Sequence, residues 1–263
     1  MTSSDSTKVE TRLHVESPLD GGTAVGLDPG RAHFLRSVLR LQPGAVVALF
    51  NARDGEWLAR IDALGKGWCS LEVLSQRRVP GPEPDLWLAF APIKRARLDF
   101  LVEKATELGV SALHPVMTRR TNVERVNLER LRANAREAAE QCERLSLPEV
   151  AEPVKLDALL ATWPAERRLL LCCEAGPAPA LAEVLAEFRA AGAPARPAPP
   201  WGVMCGPEGG FAESELDALR KLPFVYPASL GPRILRADTA ALAALACWQA
   251  WLGDWTLRPP GRG

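Results

Sequence analysis

Apolar and polar positions alternate with a short period over the first third of the chain. Thr11–Val15, Ala45–Phe50, Glu56–Ile61 and Ser70–Leu74 read as strands. Turn signals separate them at Gly21-Gly22, Pro43-Gly44, Asp54-Gly55 and Gly65-Lys66-Gly67. One helical stripe interrupts them, with Phe34, Leu35, Val38 and Leu39 on one side of Arg31–Arg40. Short strands joined by tight turns predict a small β-barrel.

The stretch Val79-Pro80-Gly81-Pro82-Glu83-Pro84 is a stiff connector, and beyond it the period changes. Strand-length apolar runs at Leu86–Ala91, Val110–Val116, Leu169–Cys173, Trp201–Cys205 and Phe224–Leu230 alternate with helical patterns. The helices fall at Arg95–Leu108, Asn127–Arg144, Ala180–Arg189, Glu213–Leu222 and Thr239–Leu252, and the Pro/Ala-rich tract Ala191–Pro200 reads as loop. Strand alternating with helix predicts an α/β domain with an open parallel sheet covered on both faces. The expected domains are 8–79 and 84–256.

Composition narrows the class. With 47% hydrophobic and 24% charged residues among 263, the chain is neither disordered, collagenous nor a small disulfide scaffold. Formal net charge is zero, which argues against a bulk-basic nucleic-acid module. The cations are 26 Arg and 6 Lys, and arginine carries a planar donor fork suited to phosphates and carboxylates. Six cysteines without a CxxC pair fit a reduced cytosol, and three scattered histidines show no metal-ligand spacing. Met1–Val9 lacks a hydrophobic signal core and no apolar run spans a bilayer, so a cytoplasmic protein is expected, with no metal and no membrane.

Ligands of open parallel sheets bind beyond the carboxyl ends of strands. Two such loops stand out: Gly206-Pro207-Glu208-Gly209-Gly210, and Gly231-Pro232-Arg233-Ile234-Leu235-Arg236-Ala237-Asp238. Glycines let backbone N–H groups approach a ligand, and a following helix N-terminus favours negative charge. Taken singly, each also reads as an ordinary tight turn. Neither the dinucleotide fingerprint nor a P-loop is present, and Glu208 would repel a phosphate.

These two runs, with Ser229-Leu230 before the second and Thr239-Ala240 after it, resemble the RsmE family of the SPOUT superfamily, the 16S ribosomal RNA uridine-N3 methyltransferases. Three further blocks agree in order and spacing: Val38–Gly44, Lys104–Val110 and Glu137–Gln141. The resemblance covers nearly the whole chain. It implies a PUA-like N-terminal domain, a SPOUT-type parallel sheet with a C-terminal trefoil knot, and a homodimer with shared active sites. It implies an S-adenosylmethionine site built from Gly206, Pro207, Glu208, Gly209 and Gly210 with Leu230, Gly231, Ile234 and Leu235, and a third wall near Cys173 and Glu174.

On that reading, Arg233 and Arg236 are the candidate catalytic residues, stabilising charge on the uracil carbonyls. Each has the competing role of pairing with Asp238 or Glu208. Arg36, Arg40, Lys94, Arg97, Arg119, Arg120 and Arg144 are the candidate contacts to 16S rRNA or the small ribosomal subunit. Any one of them is also readable as a surface charge. The chain departs from the family at Ala237-Asp238, where Thr-Glu is expected, at Glu143-Arg144, where Gly-Arg is expected, and at Ala212, where a Ser cap is common. Asp238 remains suited to a helix N-cap. Alternatives are another SPOUT methylase acting on transfer RNA or a different ribosomal site, and a non-catalytic RNA-binding assembly factor.

Overall fold

The computed structural model describes residues 8–174, 176–191, 199–255 and 257, so most of the expected loop at 191–200 lies outside the described residues. The chain divides into two compact units, one built on residues up to 81 together with 139–146, the other on 82–138 and the chain from 147 onward.

The N-terminal unit holds β1 (Arg12–His14), β2 (Ala24–Leu27), α1 (Pro29–His33), β3 (Val46–Asn51), β4 (Gly55–Gly65) and β5 (Trp68–Arg78). Its sheet runs in the order β1-β3-β4-β5-β2, antiparallel except that β1 pairs parallel with β3. Alternation in β5 sends Cys69, Leu71 and Val73 inward, where they meet Leu13, Val25, Leu35, Leu49 and Ile61 in one core. β4 and β5 extend beyond the expected spans and absorb register shifts by bulging, one of them between Ile61 and Ala63.

The expected helix Arg31–Arg40 is two structures. Asp28 accepts a hydrogen bond from the Arg31 amide at 3.0 Å and caps α1. The chain then widens into a π-helical turn over Phe34–Val38, closed by the Leu39 amide on the Phe34 carbonyl. Leu35 is buried while Phe34 and Val38 face solvent.

A buried carboxylate organises this unit. Glu56 receives Arg12 at 2.7 Å, Arg77 at 3.2 Å and Arg78 at 3.5 Å. Arg12 also donates to the carbonyls of Ala139, Glu140 and Arg144, and Arg78 to that of Glu143. These arginines therefore satisfy a buried charge and the open carbonyls at a helix end.

The second unit holds β6 (Leu86–Phe90), α2 (Arg95–Glu107), β7 (Ala112–Met117), α3 (Leu128–Gln141, whose last residues group with the N-terminal unit), β8 (Glu149–Val150), β9 (Val154–Lys155) and α4 (Leu156–Ala161). It continues through β10 (Arg168–Cys173), α5 (Leu181–Ala190), β11 (Trp201–Cys205), α6 (Glu213–Arg220), β12 (Val225–Ser229) and α7 (Ala237–Trp251). All its strand pairs are parallel, in the order β12-β10-β11-β6-β7-β8, with β9 beside β7. One core packs α2, α5 and α7 on the sheet, and a second packs α4 and α6. Helices thus cover both faces, as expected of strands that are buried throughout. Pro227 sits in β12, an end strand, where its missing N–H costs no ladder bond. In a parallel sheet the strand C-termini share one edge, so the loops after β10, β11 and β12 meet.

Candidate functional site

The loop after β11 is shaped by three residues without ordinary freedom. Pro207 has no N–H, so it cannot continue the ladder. Its carbonyl accepts the Gly210 amide at 2.8 Å and closes a tight turn. Gly210 has φ +68°, and the Glu174 carboxylate occupies the space a Cβ would need. Any side chain there is excluded by both backbone and contact. At Gly206 a Cβ would stand 2.9 Å from the buried Phe211 ring.

The loop after β12 turns at Gly231, φ +97°, whose amide is 3.3 Å from the Ser229 hydroxyl. Helix α7 then begins with Arg236 at its N-cap. Asp238 is not that cap, contrary to the sequence expectation. It lies inside the first turn, where a carboxylate complements the helix dipole. Its carboxylate accepts the Thr239 amide at 3.0 Å and Arg97 Nη1 at 3.2 and 3.3 Å. The partner of Asp238 is therefore Arg97 of α2, not Arg233 or Arg236.

Between the loops lies a cavity of about 560 Å³, within the range of small-molecule sites. Gly206, Pro207, Glu208, Gly210, Leu230, Gly231, Ile234 and Leu235 line it, as do Arg233 and Arg236. Gly209 does not; it is exposed, and its carbonyl accepts Arg120 Nη1 at 2.9 Å. Of the residues expected to meet RNA, Lys94, Arg97 and Arg120 share the cavity wall. Arg119 is next to it, with its amide held by Glu215 Oε1 at 2.8 Å. Arg36, Arg40 and Arg144 belong to the N-terminal unit. Arg36 and Arg40 are exposed there, and Arg40 is strained at φ +56°. Arg144 donates to the Ser146 hydroxyl at 3.0 Å.

Cys172, Cys205, Phe211, Leu216 and Ala240 also line the cavity; of these, Cys172, Cys205 and Leu216 belong to no sequence motif. Cys172 and Cys205 lie at the carboxyl ends of neighbouring parallel strands, so the shared edge places them together. Burial pushes the Cys173 thiol up. A hydrogen bond with Cys172, and then burial, push Cys205 well above its usual range. The charged side chains that line the cavity are five cations, Lys94, Arg97, Arg120, Arg233 and Arg236, against Glu174 and Glu208.

Residues 81–249 match the RNA methyltransferase domain family, and residues 27–74 match the RNA methyltransferase PUA domain. Ribosomal RNA small subunit methyltransferase E of Rickettsia conorii is 32% identical over 89% of this chain and 93% of its own length. The protein of the same name from Synechocystis is 34% identical over 84% of this chain and 71% of its own.

The chain belongs to the ribosomal RNA small subunit methyltransferase E family.

The crystal structure of that enzyme from Neisseria gonorrhoeae, bound to S-adenosyl methionine, superposes with a TM-score of 0.82 at 28% identity. The match covers 93% of this chain and 99% of that one. The family's parallel α/β domain and its separate N-terminal β domain, both implied by the sequence resemblance, are thereby confirmed.

Proposed function

We propose that this protein is an S-adenosylmethionine-dependent methyltransferase acting on N3 of a uridine in 16S ribosomal RNA. The observation that carries the reading is the cavity itself, closed by two glycine turns and lined by five cations, in a chain of this family. The residues fit the cofactor in size, because the tight turn at Gly206 and Gly210, packed on Phe211 and Glu174, borders a cavity of about 560 Å³. Gly206–Gly210 and Leu230–Leu235 would hold it. When bound, S-adenosylmethionine supplies an electrophilic methyl group on a sulfonium.

Uracil N3 loses its proton in the reaction, and negative charge develops on the flanking carbonyl oxygens. Arg233 and Arg236 are exposed on the loop beside the cofactor site and supply donors to that charge. Lys94 and Arg120 hold the RNA strand, and the cavity walls align the base for in-line attack. None of the three histidines lines the cavity, so histidine is assigned no role in proton removal. The β12-β10-β11 strand order supports the knotted connection of the family. A homodimer, and action in the cytoplasm on the small subunit or its RNA, complete the proposal. No described helix is long and apolar enough to cross a membrane, and no described cluster of residues could hold a metal.

The test is mass spectrometry of ribosomal RNA from a deletion strain. One 3-methyluridine is expected to vanish from 16S RNA and to return on incubation with the purified protein and cofactor. Persistence of every methylated uridine refutes the assignment.

A further inference from the structure

A turn that carries two exposed arginines beside the cavity is tied by its backbone to a carboxylate of another element. Residues Thr118 to Thr121 form a β-turn, closed by the Thr121 amide on the Thr118 carbonyl at 3.2 Å. The Thr121 hydroxyl takes the Thr118 amide at 3.0 Å and meets the Thr118 hydroxyl at 2.9 Å. This places Arg119 and Arg120 at the two corner positions, where both side chains are exposed. Glu215, in the first turn of α6, is buried. One carboxylate oxygen accepts the Arg119 amide at 2.8 Å, and the other accepts the Ala212 amide at 2.8 Å. Ala212 has no side-chain acceptor, so only half of a capping box exists at this helix. Glu215 thus ties the turn after β7 to the loop that carries Gly206–Gly210.

Arg120 completes the tie by donating to the Gly209 carbonyl at 2.9 Å. A guanidinium has five N–H donors in a fixed fork, and this contact uses one nitrogen. Arg120 itself lines the cavity. We propose that Glu215 is a positioning residue for RNA: it fixes the turn so that Arg120 presents its remaining donors to a phosphate of the strand entering the cavity. The inference rests on the functional reading above and assigns it a specific contact.

Simple charge predicts the opposite effect. Removing a carboxylate beside a polyanion's site strengthens binding if Glu215 acts only as a charge, whereas loss of a positioning residue weakens it. The experiment measures binding of a 16S RNA transcript to the full-length protein saturated with S-adenosylhomocysteine, across a range of salt. Glu215→Ala and Arg120→Ala are each expected to weaken binding roughly ten-fold. Each is expected to reduce the salt slope by roughly 0.7 to 0.9, the share of one phosphate. The double variant is expected to match Arg120→Ala alone, because the carboxylate acts through that side chain. Glu215→Gln keeps one acceptor, so a part of the loss is expected even if Glu215→Ala fails to fold. Additive losses, an unchanged salt slope, or wild-type affinity in Glu215→Gln overturn the inference. If wild-type protein neither binds nor methylates the transcript, the functional reading itself fails; active wild type with an additive cycle refutes Glu215's role alone.

Discussion

The Glu174 carboxylate, after β10, occupies the space that a Cβ on Gly210, after β11, would require. Gly210 also has φ +68°, a conformation that costs a residue with a side chain about 1–2 kcal/mol. Gly210→Ala is therefore expected to displace both loops. Calorimetry should show cofactor affinity falling at least about ten-fold, one decade per 1.4 kcal/mol. Unchanged affinity would remove this turn from the cofactor site.

Arg236 caps α7 without a side-chain bond to the helix and reaches the cavity wall. Its proposed task lies in the transition state. Arg236→Ala is expected to lower kcat by roughly 100- to 1000-fold while leaving cofactor affinity almost unchanged. Single-turnover methyl transfer and calorimetry together decide it; normal turnover would eliminate the catalytic role.

Glu143 adopts φ +64° just past α3, at the position where the sequence resemblance leads one to expect glycine. The departure thus has a physical cost, since a left-handed residue after a helix is best served by glycine. Glu143→Gly is expected to stabilise the protein by about 1 kcal/mol, less any loss from the side chain's own contacts. Thermal unfolding should show a rise of about 2–4 °C. A fall would mean that the glutamate side chain outweighs the strain.

His114 contributes a pH dependence with a definite sign. Burial, and next the charge of Arg167, push its pKa down to about 4. Its Nε2 is buried without a hydrogen-bond partner among the described residues, and its ring lies 4.4 Å from that of Trp87. The unfolded chain takes up this proton near pH 6.5, before the folded one does. Stability from the neutral ring is complete above that pH and is lost as pH falls toward 4, by at most about 3 kcal/mol. Denaturant midpoints measured over this window should slope less in His114→Gln than in wild type. Parallel slopes would show that another group titrates.

Most strands and helices were legible because their period is local. Leu169–Cys173 and Trp201–Cys205 announce buried parallel strands by their unbroken apolar runs, and both form. The short elements β8 and β9, two residues each, carry too few positions to show a period. The apolar stripe at Phe34–Val38 predicts plain helix where a π-turn forms, because the stripe does not record how wide each turn is. The glycine loops were visible as motifs, but their individual contacts were not. Gly209 looked equivalent to Gly210, yet one faces Arg120 and the other Glu174.

The sequence alone determined the two-part organisation, the parallel sheet, the loops worth examining and the family resemblance. These follow from backbone geometry, which imposes periods of two and 3.6 residues on neighbouring positions. Tertiary structure decided how the charges are spent. The zero net charge conceals arginines of two kinds. Arg12, Arg77 and Arg78 are committed to buried Glu56, while Arg120, Arg233 and Arg236 reach the cavity, as does Arg97, which is paired there with Asp238. An ion pair needs two side chains within a few ångströms, and residues as far apart in the chain as Arg97 and Asp238 meet only because α2 and α7 pack on the same face of the sheet.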